Sequence, residues 1–428
     1  MNTATFGTDG IRGIYGVTLT EETAFRLGFA LGKKGNVLIG RDNRLSSPAL
    51  AQALAYGVRR AGSDAQAVGC VTTPALYYLL TRLPFSYGVM ITASHNPPTH
   101  NGLKVFTKEG KPDEEARREI EERMRRAPRS VDSDLPLQED PSLLSLYEGF
   151  FREKIGRLDG MSAVVDFAGG AGYAFKGLLG TLGVRVIPLN LCETGDQINI
   201  NSGALHPEAC AEATRRAGAD IGFALDGDGD RIIAADSRGE ILDGDRILYS
   251  LALRMKARGV LRRDKVAMTV MTNSGVLKSL SEGGISVLSC AVGDSAVAQT
   301  MREEGLSLGG EQSGHIILGD LLMTGDALLV GGALLKSIRE DGPLSLSPRP
   351  AIYPQICVNI PVRDKRIAED PDLRALAASL KEELGEGRVL LRASGTEELI
   401  RLMIEHPDRE KALTAADTLR RAIAKEEK

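Results

Sequence analysis

The chain has 428 residues, 43% of them hydrophobic and 26% charged, with a formal net charge of −4. Such a length exceeds one compact core and implies roughly three or four domains of ~100–150 residues each. The near-balanced charge excludes a global positive field for nucleic acid or anionic lipid, so any anion must be held by local arginines and backbone amides.

Cys70, Cys192, Cys210, Cys290 and Cys357 lie far apart and form no CxxC pair. An odd count at wide spacing argues against a disulfide framework and against a structural zinc site. The opening MNTATFGTDGIRG lacks the apolar core of a signal peptide, and no apolar run is long enough to span a bilayer. The expectation is a soluble cytoplasmic protein that binds neither nucleic acid nor membrane.

Apolar, β-branched runs recur along the chain, each ending in glycine and polar residues. They are NVLIGRDNR (36–44), YGVMITASHN (87–96), AVVDFAGGAG (163–172), DIGFALDGDGDR (220–231), KVAMTVMTNSG (265–275) and LSLGGEQSGH (306–315). Between them lie helical stretches such as SPALAQALAYGVRRAG (47–62), with apolar residues at three- and four-residue steps. The alternation predicts α/β units on largely parallel sheets, with ligands beyond the C-terminal strand ends. KPDEEARREIEERMRRAPR (111–129) reads as a solvated amphipathic helix. The polar stretch 130–142 and the proline-bearing SLSPRPAIYP (345–354) read as linkers. The resulting fold class is α/β, three similar mixed-sheet domains in series followed by a smaller α+β domain. Its expected limits are 1–145, 146–245, 246–346 and 347–428.

Four loops carry chemistry. In TASHNPPTHNGLK (92–104), Ser94 reads by itself as a helix cap, a turn residue or a nucleophile, and ITASHNP is not a G-x-S-x-G elbow. In LDGDGDR, Asp226, Asp228 and Asp230 alternate with glycines, so three hard oxygen donors can converge on Mg²⁺ or Ca²⁺. An EF-hand fails there, because the position needing glycine is Arg231 and the position needing glutamate is Ser237. A metal beside an arginine suits phosphoryl transfer, and a serine carrying a phosphoryl group would be a way-station for it. GGEQSGH (309–315) offers Glu311 and Ser313 to sugar hydroxyls and His315 as a proton shuttle, or else is a polar turn. RASGTEELIR (392–401) gathers Arg392, Ser394, Gly395, Thr396 and Arg401 into an anion nest, or else a capped turn.

TASHNP, DGDGDR, GEQSGH and RASGTE, in this order and after an opening FGTDGIRG (6–13), resemble the motifs of the α-D-phosphohexomutases. The resemblance covers nearly the whole chain. It implies four domains around a central active-site cleft, each contributing one loop. Ser94 would be the phosphoserine. Asp226, Asp228 and Asp230 would hold one Mg²⁺ together with the Ser94 phosphate, and Arg231 would steady that phosphate. Lys104 and His315 would be the general acid/base candidates, with His95 and Arg12 completing the catalytic set. Glu311 and Ser313 would grip the sugar, and the loop of Arg392, Ser394, Gly395, Thr396 and Arg401 the remote phosphate.

Within the family, FGTDGIRG, GGEQSGHII and TGDALL (324–329) point to the branch that acts on glucosamine phosphates. The implied reaction interconverts glucosamine 6-phosphate and glucosamine 1-phosphate through a phosphoserine enzyme. A 1,6-bisphosphate of glucosamine or glucose would be the intermediate and activator, and a monomer or homodimer would suffice. The rivals are phosphomannomutase/phosphoglucomutase activity and a non-catalytic sugar-phosphate sensor.

Overall fold

The computed structural model describes residues 6–7, 10–129, 136–394 and 398–426. The chain forms two compact bodies, one of residues up to 270 with 288–348, the other of 271–287 with 349–428. The first body is built on three sheets that repeat one strand order. In the first sheet His100–Phe106, Tyr87–Ile91, Val37–Arg41 and Ala65–Cys70 lie side by side, extended by Gly10–Ile14 and Phe6–Gly7. In the second the order is Ile232–Asp236, Ile221–Leu225, Ser162–Asp166 and Arg185–Leu189, and in the third Ile316–Leu318, Leu308–Gly310, Lys265–Thr269 and Ser286–Cys290. Numbered along the chain, each quartet reads fourth, third, first, second.

The pairing directions repeat as well. The first and third strands run parallel, and the fourth returns antiparallel to the third. A parallel partner needs a crossover of a dozen or more residues. The loops 92–99, 226–231 and 311–315 are too short for one, so the chain turns straight back. Those three loops hold Ser94, the aspartates, and Glu311 to His315. The sheets are therefore mixed rather than largely parallel, and the antiparallel return places chemistry at the C-terminal end of the third strand each time.

Helix Glu114–Arg126 occupies the charged run. Asp113 accepts the Ala116 amide at 2.8 Å as its cap, and Ile120 is its buried side chain. Glu–Arg pairs four residues apart lace its exposed face. Helix Ala327–Asp341 is capped by Asp326, which accepts the Leu329 amide at 3.0 Å and the Tyr147 hydroxyl at 2.7 Å.

The second body is an antiparallel sheet, Gln355–Pro361, Leu399–Glu405 and Arg388–Ala393, with Leu399–Glu405 in the centre. Leu384, Leu402, Ile404, Ala412 and Leu419 join the sheet to helices Pro371–Leu384 and Arg409–Glu426 in a shared core. The segment 271–287 packs here through specific polar contacts. The Ser274 amide donates to Glu405 Oε1 at 2.6 Å, Asn273 Nδ2 donates to the Tyr353 carbonyl at 2.9 Å, and Arg388 donates to the Thr272 carbonyl at 2.7 Å. Nothing in the sequence pattern separates it from the third α/β unit. Among the described residues no helix is long and apolar enough to cross a membrane.

Candidate active site

Ser94 follows the strand Tyr87–Ile91 and is buried. Its backbone is left-handed, with φ 53°, a conformation costly for a residue bearing a Cβ. That turn aims the hydroxyl at the second sheet's loop, where Ser94 Oγ donates to Asp226 Oδ2 at 2.7 Å. The other oxygen of Asp226 accepts the amides of Asp230 and Arg231 at 3.1 and 3.2 Å, closing the aspartate loop on itself. Gly227 is required by close approach, since a Cβ there would stand 2.5 Å from the Ser94 carbonyl.

Asp226, Asp228 and Asp230 are all buried, and one carboxylate oxygen from each lies within 4.8 Å of the others. Lys104, on His100–Phe106, reaches across from the first sheet. Its Nζ is 2.6 Å from Asp228 Oδ2 and 3.2 Å from Asp230 Oδ2. Thr73 Oγ1 donates to the same Asp228 oxygen at 2.5 Å. The electrostatics follow from this crowding. Burial and the charges of Asp230 and Asp228 raise Asp226 well above the usual carboxylate range. Burial would neutralise Lys104, but Asp228 and Asp230 outweigh it and keep the ammonium protonated with a raised pKa. Asp230 is held low, because the charges of Lys104 above all, and of Arg231, overcome its burial.

The cluster fits a divalent cation. Asp228 Oδ1 and Asp230 Oδ1 are buried and accept no hydrogen bond among the described residues. Leaving such oxygens unsatisfied is expensive, and hard oxygen donors at this spacing are what Mg²⁺ or Ca²⁺ takes.

Around this centre stand the cationic and imidazole groups. Arg231 Nη1 lies 3.0 Å from His95 Nδ1. Burial and the charges of Arg231 and Arg12 lower the His95 pKa to about 4, so the ring is neutral and accepts from Arg231. Arg12 sits on Gly10–Ile14, opposite Gly102. His315 Nε2 accepts the Gly325 amide at 3.1 Å, so its proton resides on Nδ1, 3.9 Å from Asp230 Oδ2. Only glycine fits at 325, where a Cβ would meet the imidazole at 2.5 Å.

Glu311 is buried, and its Oε1 accepts the Gly293 amide at 2.9 Å, while Ser313 is exposed. Gln312 points elsewhere, its Nε2 lying 3.3 Å from Asp243 Oδ2 at the cap of helix Gly244–Ala257. The first body thus gathers Ser94, Lys104 and the aspartates into one contact network, with Arg231–His95 and His315 at its edge. Thr73 and Gly293 belong to this surround and carry no local motif that would single them out, whereas Gly325 lies in the TGDALL run.

Arg392 and Arg401 belong to the second body, directly opposite one another on Arg388–Ala393 and Leu399–Glu405. Like charges in a cross-strand pair repel unless an anion neutralises them. The Ser394 amide donates to the Leu399 carbonyl at 2.9 Å, closing the hairpin, while Gly395 and Thr396 lie outside the described residues.

The comparisons with known proteins cover the chain. Residues 3–130, 150–239 and 243–349 match the phosphoglucomutase/phosphomannomutase alpha/beta/alpha domains I, II and III, and 358–422 match the C-terminal domain. A phosphoglucosamine mutase of Symbiobacterium thermophilum is 42% identical, over 94% of this chain and 95% of that protein. The chain belongs to the phosphoglucomutase/phosphomannomutase family. A crystal structure of a family member from Burkholderia thailandensis superposes with a TM-score of 0.81 at 26% identity, covering 98% of this chain and 96% of that one. The same fold recurs in N-acetylphosphoglucosamine mutase of Aspergillus fumigatus, solved with GlcNAc-6P and magnesium. There the TM-score is 0.69 at 17% identity, over 100% of this chain and 96% of that one.

Proposed function

We propose that this phosphohexomutase is a phosphoglucosamine mutase that carries its phosphoryl group on Ser94. The observation that carries the reading is the Ser94 hydroxyl, held 2.7 Å from Asp226 across two domains and inside a buried carboxylate–lysine cluster. A phosphoryl carrier needs a charged cradle, and the buried carboxylate–lysine cluster around Ser94 would supply one. The relative named phosphoglucosamine mutase, similar over almost its whole length, supports glucosamine as the sugar.

The roles follow from geometry and charge. Phospho-Ser94 transfers its phosphoryl group to O1 of glucosamine 6-phosphate, breaking the Oγ–P bond and forming the O1–P bond of a 1,6-bisphosphate. After the sugar reorients, the 6-phosphoryl returns to Oγ and glucosamine 1-phosphate departs. Lys104, kept as an ammonium, is placed to offset phosphoryl charge and to donate a proton on the serine side. His315 can exchange a proton only at Nδ1, since Nε2 is taken by Gly325. Neutral His95 holds Arg231, to which we assign the steadying of the phosphate on Ser94. Arg12, whose charge helps keep His95 neutral, would add positive charge to the site. Glu311 and Ser313 grip sugar hydroxyls, and the hairpin of Arg392, Ser394, Gly395, Thr396 and Arg401 holds the phosphate that is not reacting.

Asp226, Asp228 and Asp230 would hold the metal, which we take to be one Mg²⁺ per site, and when bound it neutralises charge on the phosphoryl oxygens. A glucosamine or glucose 1,6-bisphosphate would prime the dephosphorylated serine. We keep 145, 245 and 346 as the limits between the four functional domains. All five cysteines are free thiols, which suits the reducing cytoplasm in which we place the reaction. Every residue named comes from one chain, so a monomer or a homodimer would serve equally. The test is to incubate the enzyme with glucosamine 6-phosphate, Mg²⁺ and a catalytic amount of glucose 1,6-bisphosphate, and to follow the phosphorus resonances. Appearance of glucosamine 1-phosphate is expected; release of inorganic phosphate instead would replace the mutase with a phosphatase.

A further inference from the structure

The serine loop is fastened by a side chain remote from it in sequence. Arg44, just beyond strand Val37–Arg41, is fully buried, and all five of its N–H donors reach acceptors. Nε donates to Asp42 Oδ2 at 2.9 Å. Nη1 donates to the carbonyls of Pro97 and His100 at 2.5 and 3.0 Å, and Nη2 to those of Ser94 and Asn96 at 3.0 and 2.8 Å. Asp42 is fixed in turn, its Oδ1 accepting the Arg44 amide at 3.1 Å and the Ser47 hydroxyl at 2.7 Å. From the second sheet's side, Asn199 Nδ2 donates to the same two carbonyls, Ser94 at 2.8 Å and Asn96 at 3.0 Å. The carbonyls on either side of His95 are thus each gripped twice, once from the first α/β unit and once from the second.

A left-handed non-glycine residue persists only where its surroundings over-determine it. Here they do so at the residue whose oxygen gives up and takes back a phosphoryl group in each turnover. Both transfers use one oxygen, and in-line displacement tolerates little error in its position. We infer that Arg44 and Asn199 are positioning residues for phosphoryl transfer. They fix the Ser94 backbone against both loops, so that Oγ faces the aspartate cluster in both half reactions. Neither touches the sugar or the reacting atoms. The inference rests on the phosphoserine reading given above. It adds that the rate of transfer, as distinct from sugar binding, depends on this buried fork.

Two variants test it. Arg44→Lys keeps the charge opposite Asp42 but cannot span four carbonyls. Asn199→Gly removes both donors from a half-buried loop while accommodating the φ of 60° found there. For each variant, Tm, kcat and KM are measured on glucosamine 6-phosphate. The isolated phospho-enzyme is also followed in a single turnover, comparing transfer to the sugar with loss of phosphate to water. For Asn199→Gly the expected outcome is a kcat lower by about tenfold or more, with KM within about twofold and the transfer-to-water ratio reduced. Arg44→Lys should show the same split at a larger loss, in the fraction of protein that is folded. Wild-type kcat in Asn199→Gly, or losses that track only the folded fraction with an unchanged transfer-to-water ratio, would overturn the inference. The wild type separates this from the parent reading. If it carries no phosphoserine, both fall; if it carries one that transfers only to glucose or mannose phosphates, the sugar assignment alone falls and the variants are read on that sugar.

Discussion

At the scale of single residues, a serine hydroxyl is a weak nucleophile, so Ser94 has to be judged by what surrounds its oxygen. The buried aspartates, Lys104 and the neutral His95 holding Arg231 make a site for a charged group on that oxygen. Ser94→Ala is therefore expected to abolish turnover, leave the circular dichroism spectrum unchanged, and lack the added mass of one phosphoryl group that the wild type is expected to carry. Retained turnover would end the phosphoserine mechanism. Asp326 makes a second, independent prediction. Burial raises its pKa to about 6, against the Leu329 amide and the Tyr147 hydroxyl that pull it down. Between pH 4 and 6 the folded state then binds more protons than the unfolded one, so this group's contribution to stability declines as pH rises through that window. The decline is on the order of 2–3 kcal/mol for a shift of this size. Asp326→Asn keeps the cap oxygen and loses the titration, so its Tm relative to wild type should rise between pH 4 and pH 7. A difference that is constant with pH would show that Asp326 ionises as an ordinary carboxylate. The three aspartates were legible because carboxylates alternating with glycines at a strand end are unusual, whereas Ser94 was legible only through the family resemblance of its motif. Thr73, Asn199 and Arg44 were not legible, because their partners are more than fifty residues away or reached only through backbone carbonyls.

At the scale of elements, the site is one topological position used three times. Each sheet places a short loop between its third and fourth strands, and each such loop supplies one part of the chemistry. The β-branched runs ending in glycine exposed this arrangement in the sequence. The antiparallel return is equally forced by loop length, yet it takes the observed pairing to see it. The segment 271–287 escaped for another reason. Its helix is amphipathic like its neighbours, and polar contacts to residues such as Glu405, Tyr353, Arg388, Ala351 and Glu386 tie it to the second body. Two predictions belong here. Asp228→Asn removes one of three converging charges and leaves the buried Lys104 with a weaker partner. Its Mg²⁺ affinity by calorimetry should fall about tenfold or more, since affinity for hard cations follows ligand charge. Equal affinity, or full wild-type activity in excess chelator, would dissolve the metal assignment. Arg392→Ala removes the guanidinium opposite Arg401 that is proposed to donate to the remote phosphate. It should raise KM for the sugar phosphate by about ten- to a hundredfold, the cost of one charge-assisted hydrogen bond at about 1.5–3 kcal/mol. Loss of phosphate from phospho-Ser94 to water should change little. An unaltered KM would place the remote phosphate on other residues.

At the scale of the whole molecule, four family domains run from residue 3 to residue 422, and the choice of sugar falls to the groups they bring around it. Glu311 and Ser313 would meet hydroxyls common to glucosamine, glucose and mannose, so they supply binding without discrimination. Gln312 marks the glucosamine branch in the sequence, yet its side chain faces Asp243 at a helix cap. That contact ties the sugar loop to the cap of helix Gly244–Ala257. Selection must then fall on groups facing the second carbon, where glucosamine carries an amine and glucose a hydroxyl. A site built to pair with a polar group rejects an analogue lacking it strongly, whereas a site that merely admits it discriminates little. With Glu311 and Ser313 assigned to hydroxyls the three sugars share, the expectation is a preference for glucosamine 1-phosphate by kcat/KM that is modest, about ten- to a hundredfold over glucose 1-phosphate and mannose 1-phosphate. The three substrates are compared side by side with Mg²⁺ and the 1,6-bisphosphate present. Turnover of glucose or mannose 1-phosphate ten times better than glucosamine 1-phosphate would make the enzyme a phosphoglucomutase/phosphomannomutase. The loop of Gly293, which orients Glu311 through its amide, would then be the first place to look for the groups that choose the sugar.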